Sequence, residues 1–162
     1  MSSEKGNSLL IIGAGGYGRL VKEIAQKVGY KEIEFLDDNN PNAIGPVNEI
    51  EKYKEKFDEC IIAIGNAQIR ENISCRVSNL ATLVHPTAVV SESATIKKGC
   101  VIEANAVVNT EATINECTFV CAGAVVNHNA KIDGFCQIDC NSVVSAGASV
   151  PSGTKVNSCT VF

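Results

Sequence analysis

Val120-Cys121-Ala122-Gly123-Ala124-Val125-Val126-Asn127-His128-Asn129-Ala130-Lys131-Ile132 repeats itself at an interval of six, with valine or isoleucine at 120, 126 and 132 and alanine at 124 and 130. Followed outward, an aliphatic or aromatic residue stands at every sixth position from Val84 to Phe162 without a break. A small residue (Ala, Cys, Ser or Thr) follows four positions later each time, from Ala88 to Thr160. A period of six matches neither an amphipathic helix nor a coiled coil and is the mark of a parallel β-helix. Three such hexads close one triangular turn, so residues eighteen apart stack: Val90, Val108, Val126 and Val144 form one ladder, and Ile96, Ile114, Ile132 and Val150 another. Each coil buries its ladder only against its neighbours, so such a stack stabilises itself as repeats add up. The register from 84 to 162 supplies roughly four coils.

The whole chain has 162 residues, 45% of them hydrophobic and 20% charged, which is the balance of an ordered globular protein. A net charge of −4 and the absence of a lysine or arginine cluster argue against a nucleic-acid partner. No apolar run is long enough to span a membrane, and Met1 to Asn7 lacks the apolar stretch of a signal peptide, so a cytoplasmic location is expected. The eight cysteines show no CxxC, and Cys100 and Cys136 fall on the small position of the repeat. They read as buried free thiols, with no metal expected.

Before the repeat the pattern changes. Ser8 to Ile12 is a short apolar run closed by Gly13-Ala14-Gly15-Gly16-Tyr17-Gly18, after which Leu20, Val21, Ile24, Ala25 and Val28 recur with helical spacing up to Gly29. Ile33 to Leu36 reads as a second strand, ending in Asp37-Asp38 and the turn Asn39-Asn40-Pro41. Asn48 is expected to cap a short helix carrying Ile50, Tyr53 and Phe57. Cys60 to Ile64 is a third strand, and Ile69, Ile73, Val77 and Leu80 line one face of a further helix. Alternating β and α elements imply a small, Rossmann-like parallel sheet. Residues 1–80 and 81–162 are therefore expected to form two domains, joined by a linker from Ala81 to His85 ahead of Pro86.

Gly13, Gly15 and Gly18 fit G-x-G-x-x-G between a strand and a helix, with the carboxylates Asp37 and Asp38 after the next strand. Such glycines let a backbone approach phosphate, the helix N-terminus favours the anion, and the carboxylate can hold a ribose hydroxyl. About 75 residues are too few for a full dinucleotide fold, so a mononucleotide or nucleotide sugar fits better than NAD; glycines used only for tight packing are the alternative. Gly65-Asn66, at the end of the third strand, lies on the same rim as Gly15 and Asp37.

The chain has two histidines. His85 sits ahead of Pro86 at the entry to the first coil, a structural position. His128 lies two residues past Val126 where the repeat elsewhere carries small or polar residues, so packing does not demand an imidazole there; it is either an incidental surface histidine or a proton acceptor. Two histidines also exclude the three-histidine metal site of a solenoid carbonic anhydrase.

The run Ile11 to Arg19, the Asp37-Asp38 pair, Ala63-Ile64-Gly65-Asn66, Thr82 to Val90 and Val125 to Asn129 together resemble the bacterial sugar acetyltransferases, which include sialic-acid O-acetyltransferases and nucleotide-amino-sugar N-acetyltransferases. That resemblance implies a left-handed β-helix, a homotrimer, and acetyl-CoA bound between subunits with the acceptor sugar reaching from the N-terminal domain. It implies His128 as general base beside Asn129. It also implies a nucleotide-sugar pocket lined by Gly13, Gly15, Gly16, Tyr17, Gly18, Asp37, Asp38, Gly65 and Asn66, and contacts to the coenzyme from Gln137 and the backbone near Ala146. The sequence departs from the family where Asn129 replaces an acidic residue, Gln137 replaces a second histidine and Tyr17 replaces a first-loop histidine. A nucleotide-sugar-binding or regulatory protein with impaired catalysis is the rival expectation.

Overall fold

The structure is a computed structural model and describes residues 7–162, so the reading of Met1 to Asn7 falls almost wholly outside the described residues. The chain divides into two compact units, the first ending at Ala81 and the second beginning at Thr82.

In the first unit three parallel strands, β1 (Ser8–Ile12), β2 (Glu32–Leu36) and β3 (Glu59–Ile62), pair in the order β2-β1-β3. The central β1 is buried at all five residues, which is why it reads as a continuous apolar run rather than an alternating one. Helix α1 (Gly16–Lys27) packs Val21, Ile24 and Ala25 inward, and its end is turned by Gly29 at φ +110°. Leu20, expected on that inner face, is 38% exposed. Asn48 caps nothing. It lies inside a 3₁₀ turn, Val47–Glu49, that runs into α2 (Ile50–Tyr53), and its carbonyl accepts from Arg76 instead.

Strand β3 stops at Ile62, two residues earlier than expected, and α3 (Ala67–Ser74) stops well short of Leu80. On α3 the expected apolar face also fails: Ile69 is 47% exposed, whereas Arg70 and Ile73 are the buried residues. Val77 and Leu80 are buried from irregular chain, Leu80 bridging to Cys60 beside β3. There is no free linker. The Ala81 N–H donates to the Cys60 carbonyl at 2.8 Å, and the first solenoid strand begins at Leu83.

The second unit is a left-handed parallel β-helix of two-residue strands. One face stacks Leu83–Val84, Val101–Ile102, Phe119–Val120, Gln137–Ile138 and Lys155–Val156. A second stacks Val89–Val90, Val107–Val108, Val125–Val126 and Val143–Val144, and a third Thr95–Ile96, Thr113–Ile114, Lys131–Ile132 and Ser149–Val150. All pairings are parallel and eighteen residues apart, such as Val126 with Val108 and Val144. The expected ladders are the core, with Ile102, Ile114, Val120, Val126, Ile132, Ile138 and Val144 wholly buried; each contributes roughly 1.5–3 kcal/mol of apolar burial. Cys100 and Cys136 are buried on the small register as expected. The last beat differs: Phe162 holds the backbone ladder through its N–H to the Val143 carbonyl, yet the residue is 42% exposed.

The structure adds a third register. The residue just before each small position, at every sixth residue from Gly99 to Cys159, has positive φ. This left-handed conformation turns the chain between faces. It suits glycine and asparagine and costs other side chains about 1–2 kcal/mol. Gly123, Asn129 and Gly147 follow that preference, while Glu111 (φ 57°) and Phe135 (φ 62°) do not.

Candidate functional site

The carboxyl ends of β1 and β2 open into a cleft of about 450 Å³ lined by Ala14, Gly15, Asp37, Asn39, Asn40 and Pro41. This is the rim on which open α/β sheets hold ligands, and the volume falls in the usual range for a small-molecule site.

The glycines of the turn separate into two groups. A Cβ on Gly13, whose φ is +105°, would lie 2.9 Å from the Ala63 carbonyl oxygen, and one on Gly18 would lie 2.0 Å from the Gly13 carbonyl oxygen. Those two are demanded by the packing of α1 and β3 against the turn. Gly15 and Gly16 would place a Cβ in open space, with no protein atom within 4 Å. Gly15 stands at the N-terminal cap of α1, which has no side-chain cap, and it lines the cleft at the positive end of that helix.

Asp37 builds the cleft rather than only lining it. Its Oδ2 accepts from the Ala14 N–H at 2.7 Å, and its Oδ1 accepts from the N–H groups of Asn39 and Asn40, both at 2.9 Å. These backbone donors, the Ala14 N–H first, hold its carboxyl below the usual aspartate value. With about four lone-pair positions on a carboxylate, roughly one remains for an incoming hydroxyl. Asp38 is exposed and accepts from the Val47 N–H at 2.9 Å.

Tyr17 and Gly18 lie in the first turn of α1, Tyr17 half-buried and Gly18 buried, outside the cleft lining. Gly65 and Asn66 also lie outside it. Asn66 is the N-cap of α3, its Oδ1 accepting from the Ile69 N–H at 3.0 Å. The Gly65 carbonyl is held from below by Arg70, a fully buried guanidinium that donates to the carbonyls of Ile64 at 2.7 Å and Gly65 at 3.2 Å. Sequence patterning missed Arg70, since an arginine in a polar helix reads as solvated.

On the β-helix, His128 is exposed at a corner between the second and third faces. Its carbonyl accepts from the Gly147 N–H at 3.0 Å, tying the corner to the coil below. Its Nδ1 lies 2.9 Å from Asn129 Oδ1, and Asn129 Nδ2 donates to Glu111 Oε2 at 2.5 Å. Glu111 is one coil earlier, eighteen residues from Asn129, and both occupy the left-handed corner position. Sequence analysis passed over Glu111, although the eighteen-residue interval that stacks the ladders also stacks it on Asn129.

Ala146 stacks beneath His128 at the same corner, within the turn that follows Val143–Val144. Gln137 is elsewhere: it is half-buried on the first face, its N–H donating to the Thr154 carbonyl at 2.9 Å, and this chain does not bring it to His128. His85 has a local role, its Nδ1 accepting from the Thr87 N–H at 3.1 Å. Among the described residues no group of three metal-ligating side chains converges, and no helix is long and apolar enough to cross a membrane.

A β-helix of hexads with a histidine held at one corner, preceded by a three-stranded βαβ unit with a glycine turn, defines a class of hexapeptide-repeat proteins with a small α/β front unit. Comparison with known proteins narrows it. Residues 8–77 match the model of the PglD N-terminal domain. Over 111 residues the chain is 26% identical to the UDP-N-acetylbacillosamine N-acetyltransferase of Bacillus subtilis (strain 168); the match covers 60% of this chain and 51%, about half, of that relative. The acetyltransferase domain of PglB from Neisseria gonorrhoeae FA1090 is 33% identical with a TM-score of 0.79, covering 96% of this chain and 87% of that one. The same domain in complex with acetyl coenzyme A aligns at 30% identity and a TM-score of 0.80, covering 97% and 88%. The chain belongs to the sugar acetyltransferases of the PglD type.

Proposed function

We propose that this protein transfers the acetyl group of acetyl-CoA to the amine of a nucleotide-linked amino sugar, with His128 as general base and Asn129 as its partner. The observation that carries this reading is the engagement of His128 Nδ1 by a side-chain oxygen at 2.9 Å on an exposed corner. An oxygen at Nδ1 keeps the proton there and leaves the Nε2 lone pair free to take another. As the acceptor nitrogen bonds to the thioester carbonyl carbon, Nε2 removes its proton. The C–S bond then breaks, and the imidazolium returns the proton to the departing thiolate, so that amide and free coenzyme A leave. No covalent bond to the protein is required.

The neighbour holding acetyl coenzyme A supports the donor. The Bacillus subtilis relative, a UDP-N-acetylbacillosamine N-acetyltransferase, supports an amine on a UDP-linked sugar over a hydroxyl. The nucleotide is assigned to the cleft of the first unit, where Gly15, Gly16 and the uncapped start of α1 present amides to a phosphate and Asp37 keeps about one acceptor position for a ribose hydroxyl. Gly13, Tyr17, Gly18, Asp38, Gly65 and Asn66 shape that rim. The backbone at Ala146 and the side chain of Gln137 are assigned to the coenzyme, within a homotrimer. Eight free thiols, with burial pushing Cys60 up to about 12, suit a reducing compartment, and the cytoplasm is assigned on that ground.

The test is thiol release from acetyl-CoA with UDP-, GDP- and dTDP-linked amino sugars as acceptors, with sedimentation to read the assembly. Turnover with one nucleotide series and a trimer are the expected results. Calorimetric binding of a UDP-sugar with neither acetyl-CoA binding nor turnover would instead make this a binding or regulatory protein.

A further inference from the structure

A neutral asparagine beside a histidine is ambiguous in a way a carboxylate is not. Its amide presents an acceptor on one side and a donor on the other, and a half-turn about the last side-chain bond exchanges them. With Oδ1 toward His128, the proton sits on Nδ1 and Nε2 is a base. With Nδ2 toward His128, Nδ1 must accept, the proton moves to Nε2, and the outward nitrogen has no lone pair to offer. The dipeptide His128-Asn129 by itself does not choose between these states.

Glu111 chooses. Its carboxylate can only accept, and Oε2 lies 2.5 Å from Asn129 Nδ2, so the amide nitrogen is pinned toward the coil above and Oδ1 is turned toward His128 Nδ1 at 2.9 Å. We propose that Glu111 is a positioning residue that acts through Asn129 to hold His128 in the Nδ1–H tautomer, a three-residue relay running from one coil to the next. It rests on the reading of His128 as the base and deepens it.

Backbone chemistry gives no competing reason for a glutamate at 111. The left-handed corner favours glycine or asparagine, as at Gly123, Asn129, Asn141 and Gly147, and Glu111 adopts φ 57° against that preference. The column of corner residues runs Ser93, Glu111, Asn129, Gly147 at eighteen-residue intervals, so the carboxylate stands one rung, roughly 4.8 Å, above the amide it orients. Ser93 Oγ, on the rung above, accepts from the Glu111 N–H at 3.2 Å and fixes the start of the column.

The experiment is nitrogen-15 NMR of the imidazoles in the full chain. Only His85 and His128 contribute signals, and His128→Ala assigns them. The wild type is expected to show His128 as the Nδ1–H tautomer, Glu111→Gln to mix the two tautomers several-fold toward Nε2–H, and turnover to fall about 10-fold with KM for acetyl-CoA unchanged. Glu111→Gly removes the carboxylate while suiting the backbone, so it should lose activity without losing thermal stability. Asn129→Asp supplies an acceptor that needs no orienting; in that background Glu111→Gln should cause no further loss. A wild-type His128 in the Nε2–H form, or tautomers and turnover unmoved by Glu111→Gln, overturns the relay. Tautomers that respond to Glu111→Gln while His128→Ala keeps full turnover uphold the relay and remove only the assignment of the base.

Discussion

On the proposed reading the two units present polar groups to a small molecule from opposite starting points. In the β-helix the backbone is repetitive, and every inward position is taken by a ladder such as Val90, Val108, Val126 and Val144. Chemistry is left to the corners, where His128, Asn129 and Glu111 stand at turns that the repeat has already made. In the first unit the turn itself is the site. Gly13 and Gly18 are consumed by close packing, whereas Gly15 and Gly16 have open space at their Cβ positions and Gly15 lines the cleft. A corner substitution in the solenoid should therefore change chemistry and leave folding alone, whereas a substitution in the glycine turn should change folding or binding according to which glycine is touched.

The largest expected effect is His128→Ala, which should lower kcat by roughly 10²–10⁴-fold with acetyl-CoA affinity and melting temperature unchanged, as steady-state kinetics and calorimetry would read. A drop in melting temperature would break the claim that corners are decoupled from the core. Gly18→Ala comes next. Its Cβ would meet the Gly13 carbonyl oxygen at 2.0 Å, so a cost of about 3 kcal/mol and loss of nucleotide-sugar binding are expected. Gly15→Ala meets no protein atom and should keep stability while weakening nucleotide-sugar binding about 10-fold, measured by titration calorimetry; equal stability losses at both glycines would erase the distinction.

Ile114→Val in the middle of a ladder should cost about 1 kcal/mol by denaturant melts, with kcat intact. The smallest effect is acid. Asp37 is held below its ordinary value, so its contribution is fully present above about pH 3.9 and is lost as pH falls through the lower folded value. Protection of the Ala14 amide relative to its intrinsic exchange rate should be high at pH 5 and fall once pH drops below the usual aspartate value, and Asp37→Asn should show the low protection at neutral pH. Protection that does not vary with pH would mean the cleft does not depend on that carboxylate.

The order of residues alone was enough to establish the β-helix, its coil length, its core ladders, the βαβ order and the glycine turn. All of these follow from local periodicity, since each hexad repeats the same burial decision and each strand, turn and helix is marked within a few residues of itself. It was less reliable where burial depends on distant partners. Ile69 looked like core and is exposed, Arg70 drew no reading and is buried under Gly65, and Asn48 looked like a cap and is not one. Which glycines pack and which stay open, that Asp37 spends most of its acceptors on backbone, and that Glu111 reaches Asn129 became visible only in the folded chain. Glu111 meets Asn129 across eighteen positions and Asp37 meets Ala14 across twenty-three, while the glycines turn on carbonyl approaches of an ångström's tolerance. No residue type announces them, because their energy resides in the distance between two groups and not in either one alone.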